Sequence, residues 1–304
     1  MRVFVTGASG WIGSAVVAEL LANGHEALGL ARSDAAAEAI AAAGAEVVRG
    51  EITDLDVLRD AAAESDAVVH LAFRHDVAFS GDFDTAVESN QAAIEAIGET
   101  LVGSDRPFAI ASGLAGLRAG VIATEDDRPE PTPGAGGRVR NELTALAFAD
   151  RGVRSMSVRF APTVHGTGDH GFIALIFAAD REHGVAAYVG DGQNRWPAVH
   201  VSDAARLVRL GVERAPAGTV LHAAGEEGVP FVEIAEAIGR RLQLPATSIP
   251  ADQADQQFGF LGRFVAMGMP ASSARTRQLL DWEPTGPGLI ADIDAGAYDP
   301  VPVA

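Results

Sequence analysis

Eight residues near the start constrain this chain most: Thr6-Gly7-Ala8-Ser9-Gly10-Trp11-Ile12-Gly13, set between an apolar segment at 2–5 and a helix-patterned stretch from Ser14. A short strand that runs through a glycine-rich turn into a helix is the context that cradles a diphosphate. Gly7 permits the tight turn, Gly10 lets backbone approach an anion, and Gly13 lets helix and strand pack closely. The helix start supplies N–H groups and the positive end of its dipole. Such a loop calls for a sheet edge across which a dinucleotide can lie.

The rest of the pattern supplies that sheet. Apolar runs at 3–5, 27–31, 46–48 and 67–72 alternate with helix-patterned stretches at 14–22, 35–43, 56–63 and 88–101, and further strands are predicted at 108–111, 156–160 and 219–223. Strand–helix alternation predicts an α/β fold, a Rossmann-type doubly wound parallel sheet covered by helices on both faces. With 304 residues the chain has room for a smaller C-terminal substrate lobe as well. The expected division is 1–163 with 196–225 for the dinucleotide-binding domain, and 164–195 with 226–304 for the lobe. Residues 125–137, rich in Asp, Pro and Gly, read as a loop before a helix and as a mobile cover. Phe258, Phe260 and Phe264 have near-helical spacing and are expected to bury one helix face.

Charge and composition exclude several function classes. Acidic residues outnumber basic ones 41 to 23, a net charge of -18, which repels nucleic acid and anionic lipid. No apolar run approaches the length of a spanning helix, and no signal-like segment opens the chain, so a cytoplasmic protein with no membrane partner is expected. There is no cysteine, hence no disulfide, thiolate metal site or cysteine nucleophile. His165 and His170 lack the accompanying ligands of a zinc site, and there is no Gly-x-Ser-x-Gly elbow. Every basic residue is arginine; the chain has no lysine.

The form Thr-Gly-x-x-Gly-x-x-Gly resembles the extended short-chain dehydrogenase/reductase superfamily of epimerases, dehydratases and reductases. Further landmarks of that resemblance follow in order: Asn23-Gly24-His25, Gly50-Glu51-Ile52-Thr53-Asp54, His70-Leu71-Ala72, Asn90, Val158-Arg159, Val164-His165-Gly166, Val199-His200-Val201-Ser202-Asp203-Ala204-Ala205 and Leu280-Asp281-Trp282-Glu283-Pro284. They cover nearly the whole chain. The resemblance implies a nicotinamide dinucleotide held by Thr6, Gly7, Ser9, Gly10, Trp11, Ile12 and Gly13, with Glu51, Ile52, Leu71, Ala72, Phe73 and Pro162 along the strand ends. It also implies a homodimer built on two helices per subunit, one of them beginning near Arg138.

Cofactor choice turns on the end of the second strand, where an NAD-specific relative presents an acid to the ribose hydroxyls. That register holds Ala31, and the following Arg32 and Ser33 suit a 2′-phosphate through a charged fork and a hydroxyl. NADP(H) is therefore preferred and NAD(H) stays open, as does a plain ion pair between Arg32 and Asp34.

Typical relatives carry Tyr-x-x-x-Lys at the start of the helix after strand five. This chain has no lysine, and its two tyrosines, Tyr188 and Tyr298, lie elsewhere. Counting back from Arg159 and matching Glu142 to the family's acid puts Arg138 at the lysine position and Gly134, or with a one-residue slip Gly137, at the tyrosine position. The chain thus resembles an atypical subgroup that substitutes other basic residues. Candidate catalytic groups are His165 as proton donor, with Arg138 and Ser112 in support. Arg74, His75, His170, Arg195 and Trp196 are candidates for contact with a small-molecule substrate, each with a plain packing or surface role as the alternative; His200 is expected to be structural. Three functions fit: an NADPH-dependent reductase of a carbonyl or an activated C=C or C=N bond, a non-catalytic NADP-binding sensor, and a nucleotide-sugar epimerase or dehydratase.

Overall fold

A computed structural model describes residues 1–115, 117, 118, 120–129 and 136–299. The first half alternates strand and helix: β1 (Arg2–Thr6), α1 (Trp11–Ala22), β2 (Glu26–Ala31), α2 (Asp34–Ala42), β3 (Glu46–Arg49), α3 (Leu55–Ala63) and β4 (Ala67–His70). A short α4 (His75–Phe79) and the long α5 (Phe83–Leu101) lead to β5 (Pro107–Gly113), α6 (Gly137–Ala147) and β6 (Arg154–Phe160). After β7 (Thr163–His165), α7 (Phe172–His183), β8 (Ala186–Val189) and β9 (Arg195–His200), the chain returns through α8 (Val201–Arg214) to β10 (Thr219–Ala223).

The main sheet has seven parallel strands in the order β10-β6-β5-β4-β1-β2-β3. The order reverses between β1 and β4, the crevice where open α/β sheets bind ligands. Val3, Phe4 and Val5 of β1 are fully buried because helices cover both faces. One face packs α1, α2 and α8 through Val16, Leu20, Ile40 and Leu207, and the other packs α3 and α5 through Leu58, Ile94 and Ile97. The Gly98 position lies directly under the Phe148 ring, where an added Cβ would come within 2.3 Å of it.

The lobe is built on a three-stranded sheet, β11 (Glu226–Pro230), β9 and β7, and a two-stranded one, β8 with β12 (Ala246–Ile249). This corrects the expected return at residue 196. β9 pairs with β7 and β11, so only from α8 onward does the chain rejoin the main sheet. Helices α9 (Phe231–Leu242), α10 (Ala254–Phe258), α11 (Gly262–Val265), α12 (Ala274–Leu280) and α13 (Leu289–Ala295) complete the chain. Gly259, at φ 58°, breaks the segment expected to be one helix: Phe258 is buried while Phe260 faces out.

Two distant motifs lock the lobe to the sheet. The carboxylate of Asp203, at the start of α8, accepts from the N–H groups of Thr285 and Gly286, and the buried Trp282 indole donates to the Asp203 carbonyl at 3.0 Å. Below β6, the buried Arg159 guanidinium forks onto Glu142 of α6 and also donates to the Asp127 carbonyl. That pair fixes α6, and with it Arg138, against the sheet.

Among the described residues no helix is long and apolar enough to cross a membrane. One carboxyl in the lobe core is poorly satisfied. Asp180 is fully buried, accepts from Ala187 N–H and Gln257, leaves Oδ2 without a partner, and is pushed up to about 7 by burial. A carboxyl whose folded pKa is raised resists ionisation in the folded state, so its cost grows as pH rises from the unfolded value toward 7. Asp180→Asn is expected to raise the unfolding free energy at pH 8 by on the order of 3 kcal/mol and to give little change at pH 4, measured by urea denaturation at both pH values.

Candidate active site

The phosphate loop closes as its glycines require. Gly7 sits at φ 71°, and a Cβ there would meet the Ala72 nitrogen at 2.9 Å. At Gly13 a Cβ would lie 1.9 Å from the Gly7 carbonyl oxygen, so the helix start is pressed onto the loop. Gly10 caps α1 in an extended conformation without any side-chain cap, which leaves the first-turn N–H groups for an anion. Ser9 and Gly10 are exposed at this mouth. These features fit a dinucleotide diphosphate. The Trp11 side chain serves the lobe instead: its indole N–H donates to Val164 O at 2.7 Å and its ring meets His170 edge-on at 6.2 Å.

At the adenosine end, the Ser33 hydroxyl caps α2 by accepting from Ala36 N–H, so it retains its own proton for donation. The Arg32–Asp34 pair, the alternative left open by the sequence, does not form. Asp34 pairs with Arg49, which stands in register with Ala31 at the end of β3, and Arg32 turns to Asp76 of α4 at 3.1 Å. Glu51 is exposed beyond β3, its N–H held by Asp54, and Ile52 is buried against the sheet.

At the opposite end, a buried polar chain runs from the loop into the helices. The Thr6 hydroxyl meets His70 Nδ1 at 2.8 Å, His70 Nε2 meets Asn90 Oδ1 at 3.0 Å, and Asn90 donates to Asn141 of α6. Burial pushes His70 down to about 4, so the imidazole is neutral and bridges two partners. Leu71 and Ala72 follow, with Ala72 N–H donating to Thr6 Oγ1.

Phe73 then forms a platform. Arg138 stacks on its face, Cζ 4.3 Å from the ring centroid, and His75 packs edge-on at 5.1 Å. The Arg138 guanidinium makes one hydrogen bond among the described residues, 3.3 Å to the Ala111 carbonyl at the end of β5. Burial lowers it to about 10, so it is a cation at neutral pH. His75 is lowered to about 4 by desolvation and then by the Arg138 charge. Ser112 follows Ala111 in β5 and is nearly buried. Pro162 lies between β6 and β7. Arg138, Phe73, His75 and Ser112 therefore gather at the ends of β4 and β5. Gly134 lies outside the described residues. Gly137, the other candidate for the tyrosine position, packs directly on Val87.

Other candidates stand elsewhere. His165 as proton donor is corrected: its ring is fully buried in the lobe, Nδ1 engaged by Asp292 at 2.6 Å and Nε2 buried without a partner, edge-on to His200 at 5.6 Å. No hydrogen bond or ring contact joins it to Arg138 or Ser112 among the described residues. Trp196 is likewise a core residue, buried between Phe172 and Phe231 with its N–H on Met267 O. Arg195 donates to Gly228 O and lines a 610 Å³ cavity on the lobe with Glu226, Glu227 and Glu233. His170 is exposed beside Trp11, and Arg74 precedes α4, where its charge bears on Asp82. The expected cover is anchored at its near end, for Glu125 is buried and accepts from both the N–H and hydroxyl of Thr276. Sequence reading missed Asp76 and Asp292, whose partners are 44 and 127 residues away. Among the described residues no group of three or more His, Asp or Glu is arranged to hold a metal.

Residues 3–224 match the model of the NAD dependent epimerase/dehydratase family. The chain belongs to that family. Two relatives match this family member from end to end. The uncharacterized protein C2A9.02 of Schizosaccharomyces pombe is 43% identical over 300 residues, 98% of this chain and 100% of that protein. The uncharacterized protein YLL056C of Saccharomyces cerevisiae is 43% identical over 297 residues, 97% of this chain and 98% of that one. In fold, the family member resembles DesIV, a dTDP-glucose 4,6-dehydratase of Streptomyces venezuelae solved with NAD, at a TM-score of 0.78 and 21% identity over 98% of this chain and 96% of that one. Membership makes the protein a nicotinamide-dinucleotide enzyme of the oxidoreductase kind.

Proposed function

We propose that this epimerase/dehydratase-family chain is an NADPH-dependent reductase of a small or medium organic molecule, acting on a carbonyl or on an activated C=C or C=N bond. The observation that carries the reading is Arg138: a cation whose other donors make no hydrogen bond among the described residues, held on Phe73 at the end of β5, in a chain that has no lysine and no tyrosine on α6. A bound reduced nicotinamide supplies hydride to the acceptor carbon. Arg138 stabilises the negative charge that the displaced electron pair places on the acceptor heteroatom, and Ser112 offers a neutral donor beside it. His75 shares the Phe73 ring with Arg138 and passes a solvent proton to that atom. Arg32 and the Ser33 hydroxyl favour a 2′-phosphate, which supports NADPH over NADH.

Oxidation of NADPH followed with a panel of aldehydes, ketones, enones and cyclic imines tests the proposal. Turnover is expected, and Arg138→Ala is expected to lower kcat by about 100- to 1000-fold while NADPH still binds. NADPH binding with no turnover across the panel would favour instead a dinucleotide sensor, the reading that the missing tyrosine–lysine pair also fits. A homodimer through α5 and α6 is part of the proposal; the outward positions there carry Glu88, Glu95, Glu99 and Leu143, and a monomer mass by light scattering removes it.

A further inference from the structure

We infer that Asp76 is a cofactor-specificity residue: it competes with the 2′-phosphate of NADP(H) for Arg32. The inference rests on the dinucleotide reading above and adds to it a residue that no strand-end motif contains. Three observations carry it. Arg32 follows β2 and Asp76 follows β4, and β1 lies between those strands, so the Arg32–Asp76 pair crosses the sheet edge over the end of β1, where the phosphate loop starts. The neighbouring groups are engaged otherwise, Asp34 with Arg49 and Ser33 as the cap of α2, which leaves Asp76 as the hydrogen-bonded partner of Arg32 among the described residues. Both members are solvent-exposed, with side chains 64% and 55% accessible, so the pair is weak enough to exchange for a phosphate.

A phosphate carrying up to two negative charges takes a guanidinium from a single exposed carboxylate, and the freed Asp76 then stands close to that phosphate as a like charge. NADH has no such group and leaves the pair intact. Asp76 thus lowers NADPH affinity twice, by holding Arg32 and by repelling the phosphate, without touching NADH affinity.

Nicotinamide fluorescence titrations of NADPH and NADH on the whole chain test this, using wild type, Asp76→Asn, Arg32→Ala and the double variant. Asp76→Asn is expected to tighten NADPH binding about three- to fivefold and leave NADH unchanged, the gain shrinking in high salt. In the Arg32→Ala background most of that gain is expected to vanish. An unchanged NADPH-to-NADH affinity ratio in Asp76→Asn overturns the inference, and so does an equal gain with and without Arg32. Wild type preferring NADH, with Asp76→Asn moving the ratio toward NADPH, upholds Asp76 and overturns the NADPH preference alone. Wild type binding neither nucleotide overturns both.

Discussion

Gly13→Ala is expected to weaken NADPH binding by at least about 100-fold and to destabilise the fold by about 1–3 kcal/mol. The added Cβ meets backbone on every near side: the Gly7 oxygen at 1.9 Å, the Gly7 carbonyl carbon at 2.7 Å and the Ala8 Cα at 3.1 Å. No side chain can swing away to relieve this contact. The start of α1 must lift off the loop, and the N–H groups that converge on the diphosphate then diverge. Gly24→Ala is the matched control. Gly24 also has a conformation that disfavours a side chain, φ 78°, yet nothing lies within 4 Å of its Cβ position. Its substitution is expected to cost about 1 kcal/mol of stability and to leave NADPH affinity intact. Isothermal titration and urea denaturation on the two variants separate binding from folding.

Glu142→Ala is expected to destabilise the protein by about 3–5 kcal/mol, because it strands the fully buried Arg159 charge. Arg159 keeps the Asp127 carbonyl and its contact with His222, but neither neutralises it. Removing both charges together, as Glu142→Leu with Arg159→Met, is expected to recover most of the loss, since the desolvation cost of the pair disappears with its attraction. A single variant as stable as the parent in urea denaturation would show that the charge finds water or another partner. Since Glu142 lies one helical turn past Arg138, loss of the pair is also expected to lower turnover in whatever fraction stays folded.

What the sequence disclosed follows the range of the interactions involved. The phosphate loop was legible because Gly10 and Gly13 answer to backbone within the same seven residues, whereas the approach of Ala72 to Gly7 shows only in the fold. Arg138 was legible because Glu142 and Arg159 supplied a register, and the structure joins those two residues directly. Choices among distant partners were not legible. Arg32 had an acid two residues away, yet Asp34 goes to Arg49 because β2 and β3 align Ala31 with Arg49, and Arg32 reaches across the sheet edge instead. His165 suggested a proton donor by its residue type and its place after the sixth strand. Its burial depends on α13, which brings in Asp292 from near the other end of the chain. Trp196 offered a polar tip and an apolar body, features shared by ligand platforms and core residues. Only the packing of Phe172 and Phe231 around it decides for the core.

The most direct test of the account is a calorimetric titration of the wild-type chain with NADPH and, separately, NADH. Saturable binding of one NADPH per chain, tighter than NADH and weakened toward the NADH value by Arg32→Ala, is the predicted result. Saturable binding of neither nucleotide would contradict the account at its root.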